Sequence, residues 1–326
     1  MQIILDTRGL QMSVRNFCFL ISDEKENESR LIHPNRVSSF LITSPSRIST
    51  PALILAAEYQ IPVILCNQTG RPVVRMWSSS FVNTSLLRRK QYHFCESTQA
   101  MQWAKGIIQK KVNGQTGNLL YLAGRKPAIA RQVNEANDRI EVQAAILEPE
   151  TATNIAEAKK RILSFEAYAA AHYWQLAGKR LPQPYTFNGR VKRNPEDAFN
   201  ACINYLYGML RNQVETAILS FGLDPALGIM HRDGYKMPSL VFDMMEPFRP
   251  VMDRLLFTAI LGKDLPEEIM DRKATLPRIT KEGRRVLIQL FNNRMHTRAT
   301  LADNSLLLNN LILGEVKKLT DKIKQQ

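Results

Sequence analysis

One imidazole and two carboxylates stand close together in this chain: His231 precedes Asp243 by twelve residues and Glu246 by fifteen. Asp243 and Glu246 are three apart, so on a helix they share a face. An imidazole with one or two carboxylates is hard-to-borderline ligand chemistry, suited to Mg²⁺, Mn²⁺ or Zn²⁺. The stretch that holds them runs from Gly222 to Arg254. It reads Gly-Leu-Asp-Pro-Ala-Leu-Gly-Ile-Met-His, a short polar turn, then Pro-Ser-Leu-Val-Phe-Asp-Met-Met-Glu-Pro-Phe-Arg-Pro.

Helices must position these groups. From Leu240, the residues Val241, Met244, Met245, Phe248, Val251, Met252 and Leu255 keep helical period through Pro247 and Pro250, which remove donors and predict a kink. The polar face then carries Asp243, Glu246, Arg249 and Asp253. Upstream, Asn154 is an N-cap for a helix from Ile155 to about Ala177, with Ile162, Phe165, Ala169, Tyr173 and Leu176 as its apolar stripe. Glu166 sits beside that stripe among small and aromatic neighbours, where a carboxylate needs a partner if buried. His172 is a rival ligand by chemistry, but its offset of six from Glu166 carries it far around the helix, so it reads as structural. A further helix is expected from Pro195, capped by Asn194, to about Gly222. Asn200, Asn204 and Tyr207 line one of its faces; such residues more often satisfy core hydrogen bonds than touch substrate.

The chain has 326 residues, 44% of them hydrophobic, and a mean hydropathy of −0.23: enough for two domains with a sizeable core. No apolar run reaches membrane-spanning length, and the first residues lack the basic segment and cleavage site of a signal peptide, so a cytoplasmic location is expected. Cys18, Cys66, Cys95 and Cys202 form no Cys-x-x-Cys pair and read as free thiols. Gly-rich phosphate loops, His-Glu-x-x-His and Gly-x-Ser-x-Gly are absent. The net charge is +14, and it is clustered. Gly70 to Arg131 holds eleven Lys or Arg, among them Arg88 and Arg89, against one acid, Glu96; Arg272 to Ala299 holds eight against Glu282. Clusters so lopsided read as phosphate-binding surface.

Residues 1–85 have short β-type runs, at Gln2–Thr7, Ser13–Ser22, Arg30–His33, Phe40–Thr43, Ile61–Leu65 and Val73–Trp77, with one helix opened by Thr50-Pro51. Ser78–Ser85 reads as a linker. Beyond Leu86 the segments are longer and helical in period: Met101–Val112, closed by Asn113-Gly114, then Leu119–Leu122 and Ala128–Leu147. The expectation is α+β: a small, β-rich, β-sandwich-like domain (1–85) followed by a larger all-α catalytic domain (86–326).

Three segments resemble the CRISPR-associated adaptation integrase, the metal-dependent subunit that inserts spacers into CRISPR arrays. They are Ser49-Thr50-Pro51-Ala52-Leu53 through Ile61-Pro62-Val63 to Gly70-Arg71-Pro72; Phe165-Glu166-Ala167 with Tyr173-Trp174; and the Gly222–Pro250 block with Gly228, His231, Asp243, Glu246-Pro247 and Arg249-Pro250. Asp197, Asn200 and Asn204 match a further pattern of the family. The resemblance implies that Glu166, His231 and Glu246 ligate Mg²⁺ or Mn²⁺, with Asp243 as a second catalytic acid. It implies that Tyr207, Lys236 and Arg249 lie near the scissile DNA; Arg193, Arg88 and Arg89 add basic groups for its phosphates. Ser164 and Ala167 stand where relatives often carry Gly, and some relatives have Asp at the place of Glu246; neither removes a ligand.

Implied partners are double-stranded and branched DNA, a second copy of the chain joined through the β-rich domain, and a small ferredoxin-like adaptation protein. A general metal nuclease for branched or single-stranded DNA shares the chemistry, and the discriminator is joining of a supplied 3′-hydroxyl strand. A non-catalytic scaffold would instead tolerate His231→Ala.

Overall fold

Two aromatic rings, Phe19 and Phe40, meet edge to face with centroids 4.7 Å apart, and they come from different sheets. The computed structural model describes residues 1–23, 28–66, 72–76, 85–124, 131–135, 138, 154–231, 234, 237–271, 277–301 and 304–326. The chain divides into two compact units, Met1–Ser85 and Leu86–Gln326.

The first unit contains β1 (Gln2–Leu5), β2 (Gln11–Arg15), β3 (Cys18–Asp23), β4 (Glu28–Ile32), β5 (Ser39–Ile42), β6 (Arg47–Ile48), α1 (Thr50–Glu58), β7 (Val63–Cys66) and β8 (Pro72–Met76). One sheet has the order β1-β5-β7-β8, with β8 antiparallel to β7 and the other pairs parallel; the second has the order β4-β3-β2-β6. Leu5 and Phe40 of the first sheet, Met12 and Phe19 of the second, and Ala52 and Leu55 of α1 share one buried core. This is the sandwich-like packing expected.

Two local details differ from expectation. The run Ser13–Ser22 is a hairpin rather than one strand: Asn16 and Phe17 form its tip with φ of 52° and 56°. That two-residue turn usually asks for Asn-Gly, so a Phe in the second place hid it. Thr50 reads as the N-cap of α1 from its place before Pro51, but the cap is Ser49, whose hydroxyl accepts from Ala52 N–H at 3.4 Å.

The second unit is helical apart from two short antiparallel ladders. Its helices are α2 (Ser85–Cys95), α3 (Thr98–Ala123), α4 (Ile155–Gly178), α5 (Ala198–Ser220), α6 (Ser239–Met245), α7 (Arg249–Leu261), α8 (Lys281–Met295) and α9 (Leu308–Lys324). The ladders pair β9 (Met270–Asp271) with β10 (Arg278–Ile279), and β11 (Arg298–Leu301) with β12 (Asn304–Leu307). Helix α3 packs along α4 and α7, while α5 packs against α6, α7 and α9. Phe187, Phe199 and Phe257 stack in the core, with centroids 4.1 and 5.9 Å apart.

Asn113-Gly114 does not end α3, which continues to Ala123. A Cβ on Gly114 would lie 2.8 Å from Pro250 Cβ, so the glycine is a notch for a neighbouring helix and not a stop. The cap of α5 is Asp197, which accepts from Asn200 N–H at 2.7 Å, in place of Asn194. The helix expected over Ala128–Leu147 lies largely outside the described residues, as does most of the expected linker. No described helix is long and apolar enough to cross a membrane.

Candidate active site

The site begins with a loop that one carboxylate holds from within. Asp243, fully buried on α6, accepts the backbone N–H groups of Ile229 (2.6 Å) and Met230 (3.0 Å) on Oδ2, and that of His231 (3.1 Å) on Oδ1. The same Oδ1 takes the imidazole N–H of His231 at 2.6 Å. The imidazole proton thus stays on Nδ1, and Nε2 is the nitrogen left for a ligand. Gly228 permits the tight approach, because a Cβ there would fall 2.4 Å from Ser239 Cβ. From α2, the buried Gln91 side chain donates to Asp224 O (2.9 Å) and Leu227 O (3.4 Å) and accepts from Asp224 N–H (2.8 Å).

The prolines then reshape the next turn. Glu246–Phe248 form a single 3₁₀ turn between α6 and α7. The Glu246 N–H reaches the Asp243 carbonyl, and the Arg249 N–H reaches the Glu246 carbonyl. These i→i−3 bonds serve carbonyls that Pro247 and Pro250 cannot serve in α geometry. The expected kink is this turn. It swings Glu246 inward, so that the supposed polar face is buried at Asp243, Glu246 and Asp253.

Two carboxylates then converge on one cation. The Lys111 ammonium, from the middle of α3, forms an ion pair with Glu166 Oε1 on α4 and stands 2.6 Å from Glu246 Oε2. Arg249 Nε lies 3.0 Å from the other Glu246 oxygen. Burial pushes the Glu246 carboxyl up, but the charges of Arg249 and Lys111 outweigh it and hold the group at about 2. Burial likewise works against the Lys111 ammonium, and Glu246 and Glu166 more than offset it, raising its pKa.

The donors suit a hard divalent ion in type. Glu246 is buried with Oε2 turned to the Lys111 ammonium, Glu166 is about a quarter exposed, and His231 keeps Nε2. Among the described residues, however, no three His, Cys, Asp or Glu side chains are gathered closely enough to hold a metal ion. The cation between the acids in this conformation is Lys111.

Behind the site lies a second buried network. Asp253 on α7 accepts Tyr207 Oη at 2.5 Å and Tyr173 Oη at 3.0 Å, and Asn118 Nδ2 donates to Tyr173 Oη at 3.1 Å. Burial pushes the Asp253 carboxyl up to about 6 against the pull of the two tyrosines. The Tyr207 ring has the Arg249 guanidinium 4.9 Å from its centroid and that of Arg190 at 5.6 Å. Arg190 bonds Asn204 Oδ1 at 2.8 Å and also Asn200 Oδ1.

The structure brings Glu166 and Glu246 together and fixes His231 through Asp243. Tyr207 is buried against Asp253, with its hydroxyl engaged there. Arg249 lies at the site; Arg193 and, on α2, Arg88 and Arg89 are exposed elsewhere. Lys236 lies outside the described residues. Sequence reasoning missed Lys111, which sits in a stretch read as phosphate-binding surface, and it missed Gln91 and Arg190. Asp253, seven residues after Glu246, was placed on a polar face, and only its burial reveals its partners.

Residues 3–293 match the protein family described as CRISPR associated protein Cas1. The CRISPR-associated endonuclease Cas1 of Korarchaeum cryptofilum is 30% identical over 268 residues, 80% of this chain and 78% of that protein. An endonuclease Cas1 of Archaeoglobus fulgidus is 27% identical over 324 residues, 96% of this chain and 93% of its own. Among solved structures, a casposase bound to an integration product has a TM-score of 0.81 at 22% identity, covering 99% of this chain and 90% of that one. A Cas6-RT-Cas1–Cas2 complex has a TM-score of 0.79 at 19% identity, over 100% of this chain and 35% of that one. At such identities the structures speak for the fold.

Proposed function

The chain belongs to the CRISPR-associated Cas1 family, and from that membership we propose that it is a divalent-metal-dependent DNA integrase and endonuclease of CRISPR adaptation. It joins 3′-hydroxyl ends of short DNA fragments to the CRISPR repeat by transesterification. The observation that carries this reading is the convergence of Glu166 and Glu246 on one cation, with His231 oriented by Asp243 and within electrostatic reach of Glu246.

Glu166, Glu246 and Nε2 of His231 would hold Mg²⁺ or Mn²⁺. A divalent ion bound there supplies polarisation of a phosphoryl oxygen and activation of the attacking oxygen. Asp243 keeps the imidazole in one tautomer and one orientation. Arg249, set between Glu246 and the Tyr207 ring, presents a charge that does not titrate near neutrality for the scissile phosphate. In joining, a 3′-hydroxyl attacks and the 3′-oxygen of the repeat strand leaves; with water as attacker the same groups make a nuclease.

Double-stranded and branched DNA would lie along Arg88, Arg89, Arg193 and Lys236, with contacts mainly to phosphate. A homodimer formed through residues 1–85, two such dimers being bridged by a dimer of the small ferredoxin-like adaptation partner, completes the reading. The Cas1–Cas2 complex among the similar folds supports that partnership. Work on chromosomal DNA would place the protein in the cytoplasm.

The test is strand transfer. A fluorescent duplex with free 3′-hydroxyls is mixed with a supercoiled repeat-bearing plasmid, the small partner and Mn²⁺ or Mg²⁺. Label joined to plasmid by wild type, but not by His231→Ala or Glu246→Ala, is the expected result. Nicking without joining would favour a general nuclease for branched or single-stranded DNA. No metal-dependent chemistry under any condition would sink the reading.

A further inference from the structure

We infer that Lys111 is the resident counter-cation of the metal site: its ammonium occupies the position between Glu166 and Glu246 until a divalent cation takes it over. This rests on the metal-dependent reading of the same residues.

The placement argues for exchange rather than for a permanent ion pair beside the metal. Lys111 projects from a face of α3 that also carries Ile107, Ile108 and Val112, all buried, and its side chain is 7% exposed. An ammonium is rarely found at such depth unless it is paired. Here it touches carboxylates from two separate elements, α4 and the 3₁₀ turn, and it is the cation shared by both acids. Arg249 pairs with Glu246 on the opposite oxygen. With Lys111 in place, Glu166 and Glu246 are balanced by Lys111 and Arg249, two charges against two. Adding a dication without moving Lys111 would set four positive charges against two negative ones at ion-pair distances, where repulsion in a buried site is strong. The contact to Glu246 Oε2, at 2.6 Å, is a charge contact of the kind a divalent cation would also make with that oxygen.

The binding-competent state is then the one from which Lys111 has moved. The apparent metal affinity is reduced by the fraction of molecules in that state. Deleting the charge removes this competition.

The experiment is calorimetric titration of the purified full-length protein with Mn²⁺, wild type against Lys111→Met, with thermal melts in chelator and in saturating Mn²⁺. Lys111→Met is expected to bind Mn²⁺ at least about tenfold more tightly than wild type. It should melt lower in chelator and gain more from Mn²⁺. Binding by wild type with equal or weaker binding by Lys111→Met overturns the inference while leaving the metal reading intact. No binding by either protein overturns the metal reading itself.

Should Lys111→Met fail to fold, wild type decides alone. Amine acetylation read by mass spectrometry should find Lys111 protected in chelator and labelled in Mn²⁺, against Lys110 as internal control. Unchanged Lys111 labelling at saturating Mn²⁺ overturns the inference.

Discussion

Asp243 and His231 are joined twice: the Oδ1 of Asp243 accepts both the backbone N–H of His231, at 3.1 Å, and its ring N–H, at 2.6 Å. One buried carboxylate therefore sets the position of the residue and the direction of its ring. Asp243 thus holds the loop as firmly as it holds the ring.

That division predicts two different phenotypes. Asp243→Asn puts an amide donor against backbone N–H donors in a fully buried place, and should cost about 2–4 kcal/mol of stability as well as strand transfer. His231→Ala removes a ring that is a third exposed, so transfer should be lost with a melting temperature close to wild type. Melts and strand-transfer assays on the pair would decide; equal destabilisation by both variants would refute the distinction.

Two buried carboxyls give opposite pH dependences. Glu246 is held at about 2, below its ordinary value of 4.5, so its contribution to stability is present above pH 4.5 and fades as pH falls toward 2. Asp253 is raised from 3.8 to about 6, so its contribution is complete below pH 3.8 and is lost as pH rises through 6. Between pH 4 and 7, wild type should lose about 2 kcal/mol relative to Asp253→Asn, whose side chain does not titrate. Urea denaturation across that range checks it, and a difference independent of pH would rule it out.

Gln91 should behave as part of the His231 loop although it lies on α2. It is fully buried and makes three hydrogen bonds to the backbone of Asp224 and Leu227. Gln91→Ala leaves those groups unpaired, at a cost of about 1–3 kcal/mol. Hydrogen exchange should rise across residues 223–231 before it rises in α4 or α5. Uniform acceleration over the whole unit would mean that Gln91 stabilises the fold without special coupling to the loop.

The candidate residues stood out because chemistry singles them out: an imidazole and two acids at helical spacing, near prolines, drew attention to the segment that the structure folds around Asp243 and Glu246. The β-to-helix change near residue 85 was legible from segment length and period. Partners far apart in sequence were not. Lys111 is 55 residues from Glu166 and 135 from Glu246, and nothing in its own surroundings separates it from the solvated lysines nearby. Glycine misled in the same way. Asn113-Gly114 has the composition of a helix stop, and only the approach of Pro250 shows that the missing side chain is filled by another helix.

Gly114 therefore yields a prediction that helix propensity alone would get wrong. Gly→Ala within a helix ordinarily stabilises by about 1 kcal/mol. At Gly114 the added Cβ would lie 2.8 Å from Pro250, next to Arg249, so Gly114→Ala should instead destabilise by about 1–3 kcal/mol. Gly117→Ala, with open space around its Cβ, is the control and should be neutral or stabilising. A melting temperature raised by Gly114→Ala would show that α3 and α7 separate freely.

Arg88 and Arg89 allow the proposed DNA-holding surface to be probed apart from the proposed metal ligands. Both are exposed on α2, and α2 also carries Gln91, so their loss should change how DNA is held while the loop behind stays anchored. Phosphate contacts release condensed counterions, and each is worth about 0.9 in the slope of log affinity against log salt. The variant with both Arg88→Ala and Arg89→Ala should bind duplex DNA more weakly at low salt, with a slope shallower by up to about two. The loss should be the same for unrelated sequences, since phosphates carry no base information. Fluorescence anisotropy over a salt series measures both quantities. An unchanged slope would remove α2 from the DNA path and leave Arg193 and the α8 arginines to carry it, whereas a loss confined to one sequence would point to base contacts.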